Sequence, residues 1–203
     1  MEWLDVVDEN GNPTGETVER ETAHAEGIRH RTAHVWIIRR TPSVSRPEEL
    51  GGEDQSEFQI LLQKRSPGKD SHPGCYDMSS GGHIPAGVDY LPSAVRELKE
   101  ELGVDAKESD LIYCGTRHFY HRARFYGKWF LDNQVSRVYL LWADPKQFKL
   151  QESEVEEVRW VDLEHCLELL EREKSSHCIS EEELEMITSD VKKKQQVSKL
   201  YFA

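Results

Sequence analysis

Apolar and polar positions along the chain mark out its elements before any chemistry is considered. The run "WLDVV" from Trp3, the turn "ENGNPTG" and the following "ETVER" predict a β-hairpin over residues 3–20. Residues 21–26 predict a short helix that Gly27 stops. "AHVWIIRR" (33–40) and "FQILLQKR" (58–65) predict strands, and the Pro-, Gly- and acid-rich segment 41–57 between them reads as a long hairpin loop, not a domain boundary. Residues 66–77, punctuated by Pro67, Gly68, Pro73 and Gly74, predict a further loop. A glycine loop, "SSGGHIPAG", then leads into a helix from about Leu91 to Leu102, with Pro92 in its first turn and Gly103 at its stop. Three more strands are expected within 110–121, 129–143 and 157–163, and two helices within 164–174 and 180–196. That order predicts an α/β (α+β) fold: a mixed sheet sandwiched between helices, with an N-terminal hairpin and C-terminal helices. The expected organisation is one domain over 1–175 and a helical extension, 176–203, packed on it.

Composition narrows the classes. The 203 residues are 37% hydrophobic and 32% charged, as expected of a globular chain with a polar surface. No apolar run approaches the roughly 20 residues that span a bilayer, so no membrane partner is expected. Met1 to Asp8 carries acids where a secretory signal would be basic and then apolar. Cys75, Cys114, Cys166 and Cys178 form no CxxC pair, which predicts a reduced, cytoplasmic setting. The net charge of −12, from 26 basic and 38 acidic residues, argues against a nucleic-acid polymer as partner. It leaves room for a small phosphorylated substrate neutralised by a metal ion and a few local arginines.

The helix after the glycines carries the chemistry. At about 100° per residue, Glu97, Glu100 and Glu101 share an arc of about 100°, while Val95, Leu98 and Leu102 occupy another. Like charges three and four positions apart repel by a few tenths of a kcal/mol on an exposed helix. Binding a hard divalent cation, which prefers carboxylate oxygens and phosphates, would offset that repulsion. Arg96 is placed one turn before Glu100 to hold a carboxylate. A solvated Glu/Lys/Arg helix is the plain alternative. The preceding small residues shift the balance by giving a phosphate chain access to free backbone groups.

Gly82, Arg96, Glu97, Leu98, Glu100, Glu101, Gly103 and Val104 together resemble the Nudix box, Gly-x5-Glu-x7-Arg-Glu-U-x-Glu-Glu-x-Gly-U, where U is aliphatic. One position departs: Val88 stands where the box has its first glutamate, with Asp89 beside it as a partial substitute. The resemblance implies a Nudix-type α/β/α sandwich. It also implies metal-dependent hydrolysis of a diphosphate linkage in a nucleoside diphosphate joined to another moiety. The metal would be Mg²⁺, with Mn²⁺ able to substitute, held by Glu97, Glu100, Glu101 and Gly82. "GIRHRTAHVWII" and "FLDNQVSRVYLLW" are similar to the branch nearest isopentenyl-diphosphate isomerase. Those enzymes use a cysteine and a glutamate where this chain has Gly81 and Gln134, and an amide cannot exchange a proton as a carboxylate does. An isomerase-like enzyme and a non-catalytic nucleotide-binding module remain the alternatives.

Other residues complete the expected site. Glu154, in the acidic turn before a strand, joins Glu100 and Glu101 as a candidate general base, against the reading of a solvated turn. Arg65, His83, Arg96 and Arg117 are candidates for substrate contact, Phe119 and Tyr120 for stacking on a base, and Lys69 for touching phosphate. Structural roles compete at each of these positions. His30 and His34 lie where the related isomerases use histidines for metal, and are expected here to pack or to touch substrate. Leu167, Leu170, Leu184 and Ile187 form an apolar stripe for core or homodimer packing. Specificity is expected to lie in loops that vary in shape, at 41–57 and 117–130.

Overall fold

Strand β1 (Trp3–Val7) pairs antiparallel with β2 (Pro13–Glu19), giving the expected hairpin. Helix α1 (Arg20–Glu26) follows at once and ends at Gly27, whose φ of 71° is a left-handed cap. Leu4, Val18 and Ala23 bury a small core between hairpin and helix. The computed structural model describes residues 2–42 and 57–201, with side chains to residue 193. Most of the expected 41–57 loop therefore lies outside the described residues.

The central sheet is built on β3 (His30–Arg40), β4 (Phe58–Arg65), β5 (Tyr76–Asp77), β6 (Ser80–His83), β7 (Leu111–Phe125), β8 (Lys128–Trp142) and β9 (Val155–Asp162). The path is β5-β4-β3-β8-β7, with β6 added on β3 and β9 on β4. β3 runs parallel to β8 and antiparallel to β4 and β6, so the sheet is mixed. β3 and β4 pair only at Ile38–Arg40. Beyond that stretch, β5 pairs with β4 while β6 pairs with β3. Ser79 sits in the split, accepting from Ile37 N at 2.7 Å and donating to Leu61 O at 2.6 Å. The "SSGGHIPAG" segment, expected as a loop, therefore enters the sheet as a short strand. Its backbone groups pair with β3, which supplies the partners that buried N–H and C=O groups require.

Alternation along β3 builds a core on each face of the sheet. Trp36 and Ile38 face one side with Ile60, Leu62, Val138 and Leu140; Val35 and Ile37 face the other with Leu61, Tyr139 and Leu141. Helix α2 (Tyr90–Leu102) covers the second side through Tyr90, Ala94, Leu98 and Leu102, a stripe at i, i+4 spacing. Helices α3 (Cys166–Arg172) and α4 (Glu181–Tyr201) cover the first through Cys166, Leu170, Ile187 and Val191. The expected sandwich is thus observed. Among the described residues no helix is long and apolar enough to cross a membrane.

Residues 117–130 correct one expectation. They form the arms and turn of a single long hairpin, β7–β8, paired from Leu111↔Leu141 out to Phe125↔Lys128. Tyr126 (φ 50°) and Gly127 (φ 79°) make its two-residue turn, and positive φ at both positions is the geometry that matches strand twist. The hydroxyl of Tyr126 donates to Pro67 O (3.2 Å) and Lys69 O (3.1 Å), fastening the tip to the 66–75 loop.

Candidate functional site

A cavity of about 640 Å³ opens where β6 enters the sheet and α2 passes beneath it. Glu97, Glu100, Glu101, Glu154, Gly82, Arg65, His83, Arg96, Arg117 and Phe119 all line it. Of the residues expected from sequence, Tyr120 does not: it lies 62% exposed, because strand alternation turns it away from the face that carries Arg117, Phe119 and His121.

The carboxylates are held individually. Glu101 is buried and accepts from Ser80 Oγ (2.7 Å), Gly81 N (3.2 Å) and Gln63 Nε2 (3.4 Å). Burial raises its pKa to about 7, although the hydrogen bonds from Ser80 and Gly81 and the charge of Lys69 pull it down. Burial, and then the neighbouring Glu101 charge, also raise Glu97 to about 7. Arg96 reaches both remaining groups, with Nη2 at 2.5 Å from Glu97 and Nη1 at 2.9 Å from Glu100. Gly82 leaves room for this arrangement: a Cβ there would meet the Glu97 carboxyl carbon at 2.5 Å. Glu154 pairs with Lys69, and Arg65 with Asp77 at 3.2 Å.

Phe119 lies between Arg117 and His121 along β7. The guanidinium sits 4.1 Å from the ring centroid, and the imidazole stacks at 5.8 Å.

The chain matches the NUDIX domain model over residues 50–181. It belongs to the Nudix family. It is 38% identical over 183 residues to Nudix hydrolase 3 of Arabidopsis thaliana, covering 85% of this chain and 21% of that protein. It is 34% identical over 157 residues to an uncharacterised Nudix hydrolase of Clostridium acetobutylicum, covering 76% and 66%. The chain thus spans about a fifth of the first relative's length and just under two thirds of the second's. The crystal structure of DR0079 from Deinococcus radiodurans superposes with a TM-score of 0.60 at 18% identity, over 87% of this chain and 93% of that one, a likeness of fold. The NUDIX domain of Shewanella oneidensis NrtR, solved with ADP ribose, gives 0.50 at 16% identity over the same shares.

Within this Nudix domain the position of Val88 has a structural answer. Val88 packs at the margin of the α2 core, and Asp89 is the N-cap of α2, accepting from Tyr90 N at 2.8 Å. Asp89 does not line the cavity and so does not replace the missing box glutamate there. Support for the loop comes from the hairpin instead. Asp5 Oδ2 accepts from Arg31 (2.7 Å) and from Gly87 N (2.9 Å), and Arg31 also donates to Val88 O at 2.8 Å.

Sequence reasoning missed a histidine group beside the carboxylates. Ligand-capable atoms of His24, His30 and His83 lie within 4.8 Å of one another, with His24 Nε2 and His83 Nε2 at 2.9 Å. Burial keeps the imidazoles neutral, lowering His24 to about 3 and His30 to about 4 and holding His83 well below its ordinary value. Asp132 Oδ1, 3.9 Å from His30 Nε2, is buried and, like that nitrogen, has no hydrogen-bond partner among the described residues. Neutral nitrogens and an unpaired carboxylate oxygen are a donor set that could also hold a metal. The spacing of His24, His30 and His83 in sequence gives no signal of this, because α1, β3 and β6 meet only in the fold. His34, four residues further along β3 and so on the same face as His30, is taken up elsewhere and bonds Glu183 Oε1 at 2.8 Å.

Proposed function

We propose that the chain hydrolyses the diphosphate linkage of a nucleoside diphosphate joined to another moiety, in a reaction that needs a divalent metal. The observation that carries this reading is the cavity itself: Glu97, Glu100, Glu101 and Glu154 share it with Arg65, Lys69, Arg96 and Arg117. Acids and bases crowded on one cavity suit a polyanion bridged by a cation better than they suit either alone. The substrate class follows the family, and ADP ribose in the NrtR domain is one compound of that class.

The donor set fits Mg²⁺. Glu101 is a buried carboxylate and Glu97 a largely buried one; their raised pKa values reflect burial without full compensation, and a bound cation would relieve this. Glu97, Glu100 and Glu101 would hold the ion. When bound, it would offset phosphate charge and make water a stronger acid. The protein's own part is positioning. Arg96 fixes Glu97 and Glu100; Ser80, Gly81 and Gln63 fix Glu101; Lys69 steers Glu154. Glu100, Glu101 and Glu154 are the candidates for the carboxylate that accepts the proton of the attacking water. Gly81 offers no thiol, and Gln134 accepts from Thr32 Oγ1 at 3.3 Å, an amide without an exchangeable carboxyl proton. Both features favour hydrolysis over isomerisation.

The test is a panel of nucleoside-diphosphate compounds with Mg²⁺, comparing wild type with Glu101→Gln. The expected loss is about a hundredfold in kcat/KM, or ~2.7 kcal/mol of transition-state stabilisation. Equal activity in the two proteins would remove the box helix from the reaction.

A further inference from the structure

Glu183 is a fully buried carboxylate in the first turn of α4, two residues beyond the stretch that matches the family model. It accepts from His34 Nδ1 at 2.8 Å, Trp36 Nε1 at 2.9 Å and Arg117 Nη1 at 3.2 Å. Burying an unpaired carboxylate costs several kcal/mol, so the site depends on these three donors. Trp36 belongs to the core, whereas His34 and Arg117 line the cavity. Nδ1 of His34 is committed to Glu183, and among the described residues its Nε2 has no protein partner. Burial alone would lower the His34 pKa and raise that of Glu183. Their mutual attraction and hydrogen bond, joined by the Asp77 charge acting on His34 and by Trp36 and Arg117 acting on Glu183, together outweigh burial, leaving His34 above and Glu183 below their ordinary values.

We propose that Glu183 builds an anion subsite on the α4 side of the cavity, presenting His34 Nε2–H and the Arg117 guanidinium to a phosphoryl group of the substrate. Glu183 is a positioning residue here, and the inference rests on the diphosphate reading above. Strand alternation explains the placement. His34 and Trp36 face α4, while the box carboxylates belong to α2 on the other face, and both walls meet in the one cavity where β6 ends the sheet. A diphosphate compound could then lie across the sheet's split, with one end toward the carboxylates and another against His34 and Arg117. Counting His34 as protonated, the triad carries one net positive charge. Glu182, 3.5 Å from Arg117 Nε, is 56% exposed and therefore well screened by solvent.

The direct test uses inorganic pyrophosphate without divalent metal, titrated into the full chain while side-chain ¹⁵N signals of the histidines and arginines are followed. His34 and Arg117 signals should move on titration in the wild type, and Glu183→Gln should weaken pyrophosphate binding by about tenfold or more. Pyrophosphate that leaves His34 and Arg117 unmoved, or that binds Glu183→Gln as tightly as wild type, overturns the subsite. Should Glu183→Gln fail to fold, His34→Asn retains the Trp36 and Arg117 bonds to Glu183 and removes only the imidazole. Its expected signature is a rise in KM that exceeds the fall in kcat; an unchanged KM overturns the proposal. Pyrophosphate binding at His34 in a protein that hydrolyses nothing would leave the subsite standing and sink the hydrolase reading. Hydrolysis with no response at His34 would do the reverse.

Discussion

Val88 and Asp5 show how one side chain can take over another's task. The box glutamate that Val88 replaces is expected to brace the turn before α2, and an apolar side chain cannot accept a hydrogen bond. Asp5 braces it from outside the box, through Arg31 and the Gly87 amide, and both partners of that ion pair are nearly buried. Asp5→Ala leaves the Arg31 charge buried with Val88 O as an acceptor but with its carboxylate partner gone. We expect it to lower unfolding stability by about 3 kcal/mol in urea titration, since removing one member of a buried pair strands the other. A change within the scatter of surface substitutions would mean that the loop is held by something else. In the sequence, Asp5 is one acid in an apolar run, with nothing to tie it to a turn some eighty positions later.

Elements place the site more than any single motif does. The β6 insertion brings Gly81 and Gly82 against Glu101 and Glu97, and the β7–β8 hairpin swings Arg117, Phe119 and His121 over the cavity from the far side. The helix with its carboxylate face was legible because its 3.6-residue period survives in any context. The strand character of 80–83 was not, since glycine-rich segments have little strand propensity and only pairing with β3 selects that form. The same holds for 117–130, whose mix of arginine and aromatic residues reads as a loop until its turn and partner strand are known. Helix α4 contributes to the core as well as to the cavity, with Ile187 fully buried and Val191 at 2% exposure beside Leu140 and Leu170. Ile187→Ala should cost about 3 kcal/mol by chemical denaturation, as buried large-to-small changes do. A negligible cost would show that α4 is only loosely attached.

Across the whole molecule, buried ionisable groups couple stability to pH, and the His34–Glu183 pair has a clear sign. Glu183 titrates below its ordinary 4.5 in the folded state, so its contribution is present above about pH 4.5 and is lost as pH falls through the lowered value. His34 titrates above its ordinary 6.5, so its contribution is present below about pH 6.5 and is lost as pH rises through the raised value. The stability advantage of wild type over Glu183→Gln should therefore peak between about pH 4.5 and 6.5 and shrink on both sides. Urea unfolding of the two proteins from about pH 4 to about pH 9 measures this, and a flat difference would refute the pairing. The sequence by itself determined the family, the sandwich class, the carboxylate helix and most of the Asp, Glu, Lys and Arg residues that line the cavity. These depend on local periodicity and on a motif with fixed spacing, and both survive in one dimension. Only the tertiary structure decided that His24, His30, His83 and Asp132 meet, that Asp5 braces the turn at Val88, and that Glu183 reaches His34. Each of those joins residues from separate elements, whose approach is set by strand pairing and core packing over separations that no local pattern encodes.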